Sequence, residues 1–154
     1  MSRCNRVEDS VSGADGLVIR RLEKEDAAEA INLLLTIQEF SRTYKKDERE
    51  EQIRRMVKEM DRGSKVSVGG FLDGCLITTA STSAENSESA MVMGVATAAE
   101  FRGKGYASAV VSALCRDCFE RGKKYLCLFY DNPVAGRIYN RIGFRELGQY
   151  GMLR

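Results

Sequence analysis

Two short segments carry residue types whose order could do chemistry. The first is Arg102-Gly103-Lys104-Gly105-Tyr106-Ala107, set between a strand-like run and a helical one. Glycines ahead of a helix let the backbone approach a ligand closely. The helix start adds unpaired N–H groups and a partial positive charge, and Arg102 and Lys104 add fixed charge. Such a turn can cradle a pyrophosphate. It is not a Walker loop, which needs G-x-x-x-x-G-K-[ST]. It is not a Rossmann fingerprint either, because Ser108 stands where the third glycine belongs. Alone, the segment reads equally well as an ordinary tight turn.

The second segment runs from Asn132 to Phe144. Asn132 falls at a strand-to-helix junction. Tyr139 follows two helical turns later, near the same face. A phenol is protonated at neutral pH and can serve as a general acid. Alone, Tyr139 is equally a half-buried aromatic packed on a sheet.

What the chain lacks narrows the chemistry further. It has no histidine. That excludes Ser-His-Asp and Cys-His catalysis, HExxH zinc hydrolases and two-histidine iron sites. Cysteines stand at 4, 75, 115, 118 and 127. The odd count and the polar N-terminus, which has no signal-peptide core, point to a reducing cytoplasm rather than a disulfide framework. Cys115 and Cys118 form a lone C-x-x-C inside a helical stretch. No second pair completes a zinc site, so a core role and no metal are expected.

These residues must be positioned by one domain. The chain has 154 residues, 44% of them hydrophobic and 30% charged, with one proline. That is the profile of a globular domain. No run approaches the ~20 apolar residues of a membrane helix. Residues 1–16 read as a disordered tail and 17–154 as a single domain. Leu17–Ile19 suggest a strand. Asp26 with Glu29 reads as a capping box opening a helix, and Lys45–Asp61 as an amphipathic helix ended by Gly63. Lys65–Phe71 and Cys75–Ser81 read as strands joined by an Asp73-Gly74 hairpin turn. Ala90–Thr97 reads as a buried central strand, Ser108–Arg121 as a helix and Tyr125–Tyr130 as a strand. Pro133 opens another helix, and Phe144–Leu153 reads as one last extended segment. The order β-α-α-β-β-β-α-β-α-β describes a mixed α/β fold.

The two segments together resemble the GNAT superfamily of acyl-CoA-dependent N-acetyltransferases. The pyrophosphate motif [RQ]-x-x-G-x-[GA] is met by Arg102, Gly105 and Ala107. The motif N-x-x-A-x-x-x-Y-x-[KR]-x-G-F is met by Asn132, Ala135, Tyr139, Arg141, Gly143 and Phe144. The resemblance covers about residues 90–150. It implies a mixed sheet flanked by helices, with a V-shaped slot beside the central strand. It implies acetyl-CoA as co-substrate and direct attack by an amine on the thioester. By position, Gly94, Val95 and Ala96 would bond the pantetheine arm. The amides of Arg102, Gly103, Lys104, Gly105, Tyr106 and Ala107 would hold the pyrophosphate. Asn132 would bond the ligand or fix its junction, Arg141 would reach the phosphates, and Tyr139 would protonate the departing thiolate.

The resemblance departs at three points. Cys127 stands where some members carry a glutamate base, which leaves the base open among Asp131, Glu100, Glu85, Glu88 and a water chain. Ala98-Ala99 replace the prolines frequent there. The chain also runs on only briefly after Phe144, so a single terminal strand is expected in place of a hairpin, with homodimer pairing as one way to cover the edge.

Two other functions compete. A non-catalytic CoA-binding module would keep the cradle and lack a working acceptor site. Nucleic-acid binding would use the basic C-terminal part, where residues 101–154 carry a net +6 against −4 for residues 1–100. No nucleic-acid motif supports it, and neither nucleic acid nor membrane is expected as a partner. The acidic balance of the first hundred residues points to a cationic amine as acceptor.

Overall fold

The computed structural model describes residues 11–12, 16–37, 45–83, 85–129, 139, 142–147 and 150–153. Within the stretch read as a tail, Val11–Ser12 form a two-residue strand, β1, which pairs antiparallel with β2 (Val18–Arg21). Helix α1 spans Ala27–Leu35. The capping box lies one turn earlier than expected. It joins Glu23 to Asp26 and closes a short 3-10 turn over Lys24–Asp26. Asp26 wins this role because it is buried and tied to Arg20, with Arg20 nitrogens 2.8 and 3.0 Å from its two carboxylate oxygens. Glu29 is thereby released, and its carboxylate accepts the Leu76 N–H at 2.8 Å.

Helix α2 spans Arg49–Arg62 and ends at Gly63, whose φ of 74° is the left-handed C-cap that glycine tolerates best. Strands β3 (Ser67–Leu72) and β4 (Cys75–Ser83) follow, joined by the expected turn with positive φ at both Asp73 and Gly74. Strand β5 is Ser89–Thr97, α3 is Tyr106–Glu120 and β6 is Tyr125–Phe129.

Two strands close the chain where one was expected. They are β7 (Arg145–Leu147) and β8 (Tyr150–Leu153), with Leu147 paired to Tyr150. That register needs only the two residues between them as a hairpin connection, so a short C-terminus accommodates both strands. The eight strands form one sheet in the order β1-β2-β3-β4-β5-β6-β8-β7. Every neighbouring pair is antiparallel except β5 and β6, which α3 connects as a parallel crossover.

Each face of the sheet has its own core. Val110, Val111, Leu114 and Cys118 of α3 pack with Val68, Ile77, Ala90 and Val92. Ala27, Ala30, Ile31 and Leu34 of α1 pack with Met56, Phe71, Leu76 and Ala96. Adjacent Leu76 and Ile77 point into different cores, as successive strand residues must. Each fully buried aliphatic side chain contributes about 1.5–3 kcal/mol. Among the described residues no helix is long and apolar enough to cross a membrane.

Candidate active site

The central strand is broken where the site would lie. Thr79 pairs with Ala96 and Ser81 with Met93, so Ala80 alone faces both Gly94 and Val95. This is a β-bulge. The side-chain alternation confirms the extra residue. Ala90 and Val92 face the α3 core, yet Ala96, of the same parity, faces the α1–α2 core. Gly94 holds the bulge with φ of 63°.

On its other side β5 pairs with β6 only at Ser89, Ala90 and Met91. Beyond Met91 and Cys127 the described parts of the two strands form no ladder. β6 continues instead with β8, through Leu128–Gly151 and Phe129–Tyr150. The strands therefore open into a V, and the bulged residues Gly94, Val95 and Ala96 lie on the β5 side of that opening.

The cradle sits at the end of β5. A 3-10 turn over Ala99–Phe101 leads into Arg102, whose Nε donates to the Thr97 carbonyl at 3.2 Å and ties the turn to the strand. Gly103 and Gly105 have φ of 77° and 84°. A Cβ at either would meet nothing within 4 Å, so the space above the turn is open. Gly105 caps α3, and the Ala109 N–H closes the first helical bond on its carbonyl. The Arg102 N–H is taken by the Ala99 carbonyl, whereas the amides of the first turn of α3, Tyr106 to Ser108, have no acceptor within the helix.

Helix α3 has no acidic residue in its first turn, whereas α1 has Glu29 there and α2 has Glu50 and Glu51. Its positive end is therefore uncompensated and open to an anion. Lys104 holds its ammonium 5.9 Å above the Phe101 ring. Tyr106 turns inward and is buried beside Phe101, so only its backbone is available to a ligand. Ala107 is half-buried.

Tyr139 has helical backbone and packs edge-on against Phe144, with ring centroids 6.0 Å apart. The N–H groups of Gly143 and Phe144 both return to the Tyr139 carbonyl and close that turn. Burial pushes the Tyr139 phenol above its ordinary pKa. Asn132, Arg141 and Asp131 lie outside the described residues.

Of the other candidate bases, Glu85 is engaged. Arg121 reaches it at 2.8 Å, Lys123 at 3.3 Å and the Thr82 hydroxyl at 2.5 Å. Burial raises its pKa, but these hydrogen bonds more than offset that and hold the carboxyl below its usual range. Glu88 is exposed and pairs with Lys124, and Glu100 is exposed. Cys127 lies in the β6 ladder, between Met91 and Met152. Cys115 and Cys118 are buried as expected. Burial pushes the Cys115 thiol up to about 12, where it is inert.

A cleft lies between α1, α2 and the bulge. Ile31, Leu34 and Met56 supply apolar walls, and Gln52, Arg55, Glu59, Lys65 and Ser81 the polar ones. Gly94 is part of its lining. Ile31 and Leu34 share a face of α1, and Gln52, Arg55, Met56 and Glu59 a face of α2; the fold brings these two faces to Lys65, Ser81 and Gly94.

Comparison with known proteins agrees with this geometry. Residues 30–144 match the model of the Acetyltransferase (GNAT) family. No curated protein sequence matches. Among solved structures, an N-acetyltransferase from Staphylococcus aureus Mu50 superposes with a TM-score of 0.74 at 20% identity, covering 89% of this chain and 97% of that one. A predicted acetyltransferase from Clostridium acetobutylicum, solved with acetyl-CoA, gives 0.71 at 15% identity, covering 86% and 92%. The PaiA N-acetyltransferase from Thermoplasma acidophilum, in complex with coenzyme A, gives 0.67 at 18%, covering 89% and 96%. With the broken central strand, the bare helix terminus and the family match over three-quarters of its length, the chain belongs to the GNAT family of acetyltransferases.

Proposed function

We propose that the protein transfers an acetyl group from acetyl-CoA directly to a primary amine. The observation that carries this reading is the pairing of two features at the end of β5. One is the V beside the Gly94 bulge, and the other is the uncompensated start of α3. Acetyl-CoA, when bound, supplies an activated thioester.

The chain's own residues do the rest. The amides of Gly103 to Ala107 hold the pyrophosphate against the positive end of α3, the Arg102 N–H being taken by the Ala99 carbonyl. Arg102 and Lys104 add charge there, with Arg141 reaching the same phosphates. The backbone of the bulged Gly94 and Val95 bonds the pantetheine arm, whereas the Ala96 carbonyl is taken by the Thr78 hydroxyl at 3.0 Å on the β4 side. An N–H freed by the bulge polarises the carbonyl, a contribution of about 3 kcal/mol. Asn132 would bond the ligand or fix its junction. Tyr139 holds a proton at its phenol oxygen and gives it to the departing sulfur. With Cys127 at the glutamate position and Glu85 engaged, the amine loses its proton to water. The unpaired, buried Cys115 and Cys118 suit a reducing, cytoplasmic setting.

The test is a thermal titration with acetyl-CoA, with ATP and dephospho-CoA as controls, followed by thiol release with a panel of amines. Ligand at a hundred times its Kd should stabilise by about 2.7 kcal/mol. A shift with amine-dependent thiol release supports the enzyme. A shift without release from any amine identifies a CoA-binding module, and no shift at millimolar ligand overturns both.

A further inference from the structure

We infer that the acceptor is a free amino acid with an apolar side chain, bound as a zwitterion in the cleft between α1, α2 and the β5 bulge. The inference rests on the acetyltransferase reading, because Gly94 lines this cleft and also marks the place of the thioester.

The polar groups of the cleft carry both signs. Arg55 and Lys65 are cations and Glu59 is an anion. A simple cationic amine would face one attractive group and two repulsive ones. An amino acid satisfies the set, with Glu59 receiving the ammonium and Lys65 and Arg55 the carboxylate. Ile31, Leu34 and Met56 are each at most 5% exposed and leave an apolar wall for the side chain. The local charge therefore reverses the expectation drawn from the acidic balance of residues 1–100.

Lys65 also shows a need for an anion. Burial lowers its pKa, and the attraction of Glu59 only partly offsets this. Its ammonium is desolvated beyond what its neighbour compensates, and an incoming carboxylate would supply the difference. Arg55 is exposed at the rim, whereas Glu59 and Lys65 are half-buried within. The Ser81 hydroxyl is held by Ser67 at 2.6 Å and faces the same space.

The full chain should be tested with acetyl-CoA and leucine, leucinamide, isoamylamine or spermidine, following thiol release. Thermal shifts with leucine and N-acetylleucine in the presence of CoA give a second readout. Leucine should be preferred over isoamylamine by about tenfold or more in kcat/KM. In Lys65→Met that preference should collapse towards unity, and the N-acetylleucine shift should be lost. Glu59→Gln should raise the KM for leucine. Equal or better turnover of isoamylamine or spermidine overturns the inference and leaves the acetyltransferase reading standing. So does an acetyl-CoA shift with no added shift from either carboxylate ligand. Absence of any acetyl-CoA shift and of thiol release from every amine overturns that reading, and the inference with it.

Discussion

Gly94 lies diagonally beside Ser81 at the bulge, and a Cβ placed on Gly94 would lie 3.9 Å from both Cβ and Oγ of Ser81. That is ordinary contact, so space is not what requires glycine here. The backbone is, because φ of 63° disfavours any other residue. Gly94→Ala should cost about 1–2 kcal/mol of stability, read from denaturant unfolding. Acetyl transfer should fall further than stability does, because relaxing φ moves the N–H groups of the bulge. A variant with lower stability and unchanged kcat would remove the bulge from the mechanism.

Tyr139→Phe keeps the ring that packs on Phe144 and removes only the hydroxyl. Acetyl-CoA binding should be retained while kcat drops about a hundredfold. Burial raises the phenol above its ordinary value of 10.0, so the wild-type kcat should hold to beyond pH 10 before this acid is lost. A pH profile identical in both proteins would exclude Tyr139 as the proton donor.

Gly105→Ala tests the cradle. With φ of 84° the substitution strains the cap of α3 although no atom lies in its way. The expected result is an acetyl-CoA Kd raised about tenfold, equivalent to ~1.4 kcal/mol, with turnover at saturation largely kept. Calorimetric titration reads it directly.

The Glu85 cluster predicts an acid limb of stability. It ties the start of the β4–β5 connection to Arg121 at the end of α3 and to Lys123 before β6. The folded carboxyl titrates below its unfolded value of 4.5. The stabilisation is therefore complete above that pH and is lost as pH falls through the folded pKa. Glu85→Gln should cost about 1–2 kcal/mol at neutral pH, allowing for solvent screening of the partly exposed Arg121. It should also flatten the decline of Tm on acidification.

Elements governed by local chemistry were readable from the chain. The Asp73-Gly74 turn and the stop at Gly63 both follow from adjacent residues. The capping box was misplaced by one turn because Asp26 and Glu29 satisfy the same local pattern. Long-range contacts with Arg20 and Leu76 decide between them. The terminal hairpin was missed because β7 and β8 are only three and four residues long. The glycine run marked the cradle, whereas the parity reversal between Val92 and Ala96 needs the register of β4 to be seen. Which residues of α1 and α2 meet Lys65, Ser81 and Gly94 in the proposed acceptor cleft was not legible, because only the fold joins those segments.

The two cores share the sheet and little else. The cradle is anchored on α3, whose buried residues all belong to one of them, while the apolar wall of the proposed acceptor cleft belongs to the other. On the proposed reading, substitutions at Ile31, Leu34 or Met56 would act on the acceptor side and leave the core beneath α3 untouched, although Ala96 shares their core. The two faces of the sheet thus give the α3 cradle and the proposed acceptor cleft separate apolar supports.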